Sequence, residues 1–313
     1  MHRANANLLL VLVLVGCAGT GRPAALGWSL GGEAHVFIAG DRLARDLYHQ
    51  LTGNGGGGGG DLADSLRIRP LITVDPDSRR NATVLSASGA APARLVLARF
   101  HAPETCGYSE SVTELVFAFP PGGAAGHSTP PSHVPVVALL NAQPFAGGAG
   151  TPSSSLSRQA AIHLVTRVAQ RADSMSGSPA ALLRPLVLDA DQASDAGEVV
   201  PLFRSSSSYA VGFRGRFVRA ADTLLITGVA VTDTALRALR WVLRPQRTRL
   251  VGGMISAGAR RYSLRGAVAG EGGGTLLLVD EIADVSISDS RAVALDAATR
   301  TVIAEQPLAL RCP

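Results

Sequence analysis

The chain contains no lysine: all 29 of its basic residues are arginine, against 24 acidic residues in 313 positions. Without a lysine there is no Walker A phosphate-binding loop, no Schiff-base nucleophile and no Ser-Lys pair, so P-loop nucleotide binding, pyridoxal phosphate chemistry and Ser-Lys hydrolysis are excluded. Cysteine is scarce too. Cys17, Cys106 and Cys312 stand alone, with none of the short paired spacings that hold a structural zinc. Aromatic residues make up 4%. No apolar run reaches the length of about 18 to 20 residues that a membrane-crossing helix needs, the longest being Leu8 to Val15.

That short run is nevertheless informative. His2 and Arg3 precede it and Gly16-Cys17-Ala18-Gly19 follow, the order of a secretory signal: charged start, apolar middle, small residues at the junction. Leu14-Val15-Gly16-Cys17 resembles the lipobox of bacterial lipoproteins. The alternative is an ordinary cleaved signal with an unrelated cysteine. The resemblance covers residues 1–17 only. It implies removal of residues 1–16, acylation of Cys17 with diacylglycerol and an amide-linked chain (palmitate or similar), and a body anchored in the bacterial cell envelope, facing the periplasm or the exterior. More than one acyl chain gives firm anchoring, since each buried methylene adds about 0.8 kcal/mol. On the same reading Cys106 and Cys312 lie in an oxidising compartment and are expected to pair. Their bond would close a loop of about 200 residues, worth about 5 kcal/mol of chain entropy, and would clip Leu308 to Pro313 onto the segment holding His101, Glu104 and Cys106.

Patterning divides the rest into a Gly, Ala and Pro-rich tether over 17–32, an N-terminal α+β region over 33–145 and a β-rich region over 156–313, with one compact unit of the last two as the alternative. Helices are expected at Asp41 to Leu51, where Leu43, Leu47 and Leu51 recur every four residues, at Ser157 to Ala172, and at Thr234 to Leu243. His163 lies beside the apolar stripe of the second helix and reads as a boundary residue rather than a catalyst. Gly55 to Gly60 read as a flexible loop. Strands are expected at Glu33 to Ala39, Arg67 to Val74, Ala82 to Ser88, Arg94 to Phe100, Val112 to Phe119 and Val134 to Leu140. More follow at Tyr209 to Phe217, Thr223 to Val231, Arg249 to Ile255, Arg261 to Ala269, Thr275 to Val279 and Ile282 to Ser288, with a last hairpin around Asp296 to Thr301. The fold class expected is α+β and β-rich, mostly antiparallel and sandwich-like, with about three helices.

Three constellations could carry chemistry. Gly27-Trp28-Ser29-Leu30-Gly31 fits the G-x-S-x-G nucleophile elbow of α/β-hydrolases, but an elbow needs a buried strand before it, a helix after it and an upstream oxyanion loop. Nine residues separate Cys17 from Gly27, too few for any of these, so the stretch reads as the end of the tether. Asp189-Ala190-Asp191, with Asp195 and Glu198 following, gathers carboxylates as a calcium loop would. Where an EF-hand loop needs an acid or amide and then a Gly, Ala193 and Ser194 stand, so a solvated acidic loop is expected. Finally, residues 204–270 hold twelve arginines against Asp222 and Asp233. If Arg214, Arg216, Arg219, Arg237, Arg240 and Arg244 shared one face, it would attract anionic lipid or an acidic envelope partner. A solvated face is the plainer reading.

The function expected is therefore a membrane-anchored envelope lipoprotein acting as a non-catalytic binding or assembly module, with no cofactor, no metal and no nucleic acid partner. The alternative is an envelope hydrolase assembled from scattered residues such as His101, Glu104 and Ser109.

Overall fold

The computed structural model describes residues 24–30, 32–39, 71–73, 81–101, 103–104, 106–120, 134–140, 155–174, 184–185, 197–203, 207–219, 222–251, 254–255, 260–270, 274–283 and 289–308. The expected signal segment, Cys17, the helix at Asp41 to Leu51, the glycine run, the acidic residues Asp189 to Asp195 and Cys312 lie outside them.

The N-terminal part is a closed antiparallel barrel. Its strands are β1 (Ala24–Leu30), β2 (Glu33–Ala39), β3 (Leu71–Thr73), β4 (Asn81–Ser86), β5 (Gly89–His101), β6 (Val112–Ala118) and β7 (Val134–Leu140). Six of them run β5-β4-β7-β1-β2-β6, and pairing of β5 with β6 closes the ring, while β3 pairs with β5 beyond β4. A bulge between Leu95 and Leu97 bends β5 at the closure. An eight-stranded barrel is just wide enough to be filled by side chains, so a six-stranded one demands small residues inside. The interior is accordingly Ala25, Ala34, Val36, Ala82, Val84, Ala93, Ala98, Val136 and Ala138, with Leu95, Leu115, Leu140 and Phe117 completing it. The abundance of alanine thus has a structural use.

The expected tether is corrected here. Its last part, Ala24–Leu30, is a central barrel strand hydrogen-bonded on both edges, to β2 and to β7. Glycine misled because Gly27 and Gly32 serve close packing and a turn rather than a spacer. A Cβ at Gly27 would fall on the carbonyl oxygen of His35, and Gly32, with φ at 91°, lies just before Glu33 where β1 turns into β2.

Among the described residues, two open sheets and one helix, α1 (Arg158–Ser174), lie beyond the barrel. The outer sheet comprises β8 (Arg184–Pro185), β9 (Gly197–Pro201), β10 (Ser208–Arg219), β11 (Asp222–Asp233), β12 (Arg240–Val251) and β13 (Met254–Ile255). The middle sheet is the meander β14 (Arg260–Ala269), β15 (Thr275–Ala283), β16 (Arg291–Asp296) and β17 (Val302–Pro307). All pairings are antiparallel. Ser157 caps α1 through its hydroxyl oxygen, which accepts from the Ala160 amide at 3.3 Å. The helix lays Leu164, Val165, Val168 and Ala172 on Tyr209, Val211, Phe213, Ile226 and Ala230 of the outer sheet.

The middle sheet is covered on both sides. Tyr262, Leu264, Leu277, Val279, Val293 and Leu295 pack on the outer sheet, whereas Val268, Leu276, Leu278, Ala292 and Ala294 pack on Leu26, Leu85, Val137 and Leu139 of the barrel wall. Burial on both faces explains the unbroken apolar run Leu276-Leu277-Leu278-Val279. The order across the molecule is barrel, middle sheet, outer sheet, helix.

The expectation of an α+β sandwich with about three helices is thereby overturned: a closed barrel and two further sheets carry a single helix among the described residues. Thr234 to Leu243 is a turn entering β12. The Asp233 carboxylate accepts from the Arg237 amide at 2.7 Å and Leu236 takes φ 62°, conformations that stop a helix. Leu239 and Leu243, which seemed to mark one helical stripe, pack in different cores on opposite faces of the outer sheet. The separately expected strands at Thr275 and Ile282 merge into β15.

Candidate functional site

A strand alternates its side chains between two faces, so Glu33, His35 and Phe37 of β2 point outward where Ala34 and Val36 point into the barrel. Next to β2 lies β6, whose Glu114 stands opposite Phe37; on the other side of β6, Arg99 of β5 stands opposite the same Glu114. His35 and His101 sit one pleat away diagonally, opposite Val116 and Val112. Diagonal neighbours on one sheet face are within reach of long side chains, so three polar groups from β2 and β5 converge on the one carboxylate of β6.

The geometry is tight. His35 Nδ1 lies 2.7 Å from Glu114 Oε1 and His101 Nε2 lies 2.8 Å from Oε2, while Arg99 Nη1 donates to Oε1 at 3.1 Å. Glu114 is 1% exposed. Burial alone would push its carboxyl up, but the hydrogen bonds from His101 and His35, together with the charges on Arg99 and His101, outweigh this and hold it at about 2. A carboxylate accepting from several donors favours its charged form.

The cluster also fixes the imidazoles. A ring nitrogen that hydrogen-bonds a carboxylate carries the proton, leaving the other nitrogen to act. For His35 that other nitrogen is Nε2, which points to the rim of the wall, 3.6 Å from Oε2 of the half-exposed Glu33. Trp28 of β1 stacks along this row, 4.4 Å from Phe37 and 6.2 Å from His35 between ring centroids, its plane within 10° of the imidazole.

Below the cluster the segment between β5 and β6 closes over the wall. Cys106 packs with Phe37 and Val112, flanked by Trp28 and Tyr108. The turn is tied by the Glu104 amide to the Tyr108 carbonyl at 2.6 Å and the Gly107 amide to the Glu104 carbonyl at 3.0 Å. Burial, and then Glu110, pushes the Tyr108 phenol above its ordinary value. Cys106 is buried and disulfide-bonded rather than a free thiol. It is the one cysteine among the described residues.

Of the residues named as a possible hydrolase set, His101 joins the cluster, while Glu104 and Ser109 are exposed on the covering segment. Sequence reasoning missed His35, Arg99 and Glu114. The E-x-H alternation in β2 was a usable signal for His35, but nothing in V-T-E-L-V marks Glu114 as outward and buried. Ser29 sits within β1 opposite Ala34 and Val134, in a hairpin strand with no elbow. Among the described residues no group of three His, Cys, Asp or Glu side chains is arranged to hold a metal; around Glu114 the imidazole N–H groups occupy the carboxylate.

The described arginine contacts fall on both faces of the outer sheet. Arg214, Arg216 and Arg219 lie along β10 opposite Thr227, Leu225 and Asp222. Arg240 donates to the carbonyls of Ala297 and of Ala298, the latter at 2.6 Å, in the middle sheet. Arg247 instead donates to the Ala172 carbonyl at 3.0 Å on the opposite face, where a cation suits a helix C-terminus. Arg260 and Arg265 pair with Glu281 and Asp280 at 3.2 and 2.6 Å. Arg237 and Arg244 are exposed. Glu198, the one described member of the acidic series, lies in β9, its carboxyl pushed up by burial and by Asp280 against the opposing pull of Arg265.

Comparison with protein-family models, with characterised proteins and with solved structures finds no match to this chain.

Proposed function

We propose that the chain is an envelope lipoprotein, lipid-anchored through Cys17, whose β body works as a non-catalytic binding or assembly module. The observation that carries this reading is spacing. The barrel's first strand begins seven positions after Cys17, a reach of at most about 25 Å for extended chain. Anchoring would therefore hold one particular end of the barrel next to the bilayer: the end where β1 starts, β2 stops, and the Cys106 segment joins β5 to β6. Pairing of Cys106 with Cys312 would stitch the chain end to that same end, and the position of Leu308 supports it, since Leu308 packs in the core shared with Leu26. The partner in this reading is a protein or lipid of the envelope. Anionic lipid recruited by the arginines has less support, because the described ones serve both faces of the outer sheet, two layers from the barrel.

A second reading, catalysis, draws on one observation: Glu114 orients His35 as a base would need to be oriented. Among the described residues no serine or thiol hydrogen-bonds His35, whose partners are Glu114 and Glu33.

The test is Cys17→Ser in the exporting bacterium, followed by fractionation. The variant is expected to move from the membrane pellet to the soluble fraction; retention in the pellet would overturn the anchor.

A further inference from the structure

The rim of the barrel wall carries an arrangement that the proposed anchor and assembly role leaves unused. Glu33 and His35 stand two apart on one strand, on one face. Metal-binding histidines almost always donate their second ring N–H to a carboxylate, which fixes the ring and raises the basicity of the ligating nitrogen. His35 has that feature: Glu114 Oε1 takes Nδ1 at 2.7 Å, Arg99 holds the same oxygen from the other side, and His101 ties down Oε2. The parallel Trp28 ring steadies the imidazole plane without obstructing the in-plane direction of the Nε2 lone pair.

A second donor stands close by. Oε2 of Glu33 is 3.6 Å from Nε2 of His35. Two ligand atoms at zinc distances of about 2.0 to 2.1 Å in tetrahedral array stand about 3.3 Å apart. The Glu33 side chain, 48% exposed, is free to close the difference. Glu114 itself is not a ligand, since both of its oxygens accept hydrogen bonds.

We infer that Glu33 and His35 form a surface site for a borderline first-row divalent cation, Zn²⁺ or Cu²⁺, with Glu114 as the positioning residue behind it. One imidazole nitrogen and one carboxylate oxygen suit these ions. The remaining coordination positions are open to water or to a group from a binding partner. The inference is independent of the lipid anchor, because every residue in it belongs to the barrel wall.

Calorimetric titration of the full chain with ZnCl₂ and with CuCl₂ tests it. One saturable equivalent is expected that disappears in His35→Gln and weakens in Glu33→Gln, while His163→Asn, on the exposed face of α1, leaves it unchanged. Glu114→Gln should weaken it about 10 to 100-fold. Copper should also quench the fluorescence of Trp28. Trp28→Phe should remove that quenching yet keep the calorimetric equivalent, which separates loss of the reporter from loss of the site. Glu33 is at the rim, so its variant keeps the test valid even if Glu114→Gln unfolds the wall. Absence of saturable binding by both ions, or binding of equal strength in His35→Gln, overturns the inference.

Discussion

At the scale of single residues, Glu114 is where the most free energy is at stake. Its folded value near 2 lies below the ordinary 4.5, so the ionised form is favoured by the fold by about 3 kcal/mol. A carboxylate depressed in the folded state contributes stability that is present above the unfolded value and is lost as pH falls toward the folded one. Glu114→Gln should therefore lower stability by about 3 kcal/mol at pH 7, within the range for removing one partner of a buried ion pair. The deficit should shrink between pH 4.5 and pH 2. Denaturant unfolding across that range checks both; a constant deficit would show that packing, not charge, is lost. Little of this was legible beforehand: His101 was named and the E-x-H alternation of β2 could have marked His35, but neither pointed to Glu114. His35, Arg99, His101 and Glu114 are spread over 80 positions of sequence, and only the pairing of β6 with both β2 and β5 brings them together.

Among elements, the outcome depended on whether local pattern and tertiary contact agree. The stripe Leu164, Val165, Val168, Ala172 marks α1 because one face meets one partner. The leucines from Leu236 to Leu243 mimic such a stripe, but β11 supplies an edge on which Arg240–Val251 pairs instead. Turn chemistry was readable in part. Asp296 was expected at a hairpin, and its carboxylate accepts from the amides of Ala298 and Thr299 at 2.8 and 2.6 Å. The same turn places exposed Arg300 at φ 66°, a left-handed position in a β16–β17 loop that glycine fills without steric cost. Arg300→Gly should accordingly raise stability by about 1 kcal/mol, seen as a higher midpoint in thermal unfolding. A lower midpoint would mean that the Arg300 side chain makes contacts worth more than the backbone strain.

At the scale of the whole molecule, the sequence left open whether its two regions form one unit, and the middle sheet is where the two readings separate. Adjacent residues of β15 serve different neighbours: Leu277 is buried in the core with the outer sheet, Leu278 in the core with the barrel. A sheet that loses either neighbour exposes an apolar face, so opening the middle sheet strips buried contact from both the barrel wall and the outer sheet. Calorimetry of the folded chain should then show one transition. Leu277→Ala and Leu278→Ala should each cost about 2 to 5 kcal/mol and lower that same transition, although their side chains point 180° apart. Hydrogen exchange supplies the finer reading, because cooperative units open together: either substitution should raise exchange in Val84 and Val136 of the barrel as well as in Val211 and Val229 of the outer sheet. If Leu277→Ala loosened only the outer sheet and Leu278→Ala only the barrel, the shared sheet would be a joint between two domains rather than the centre of one.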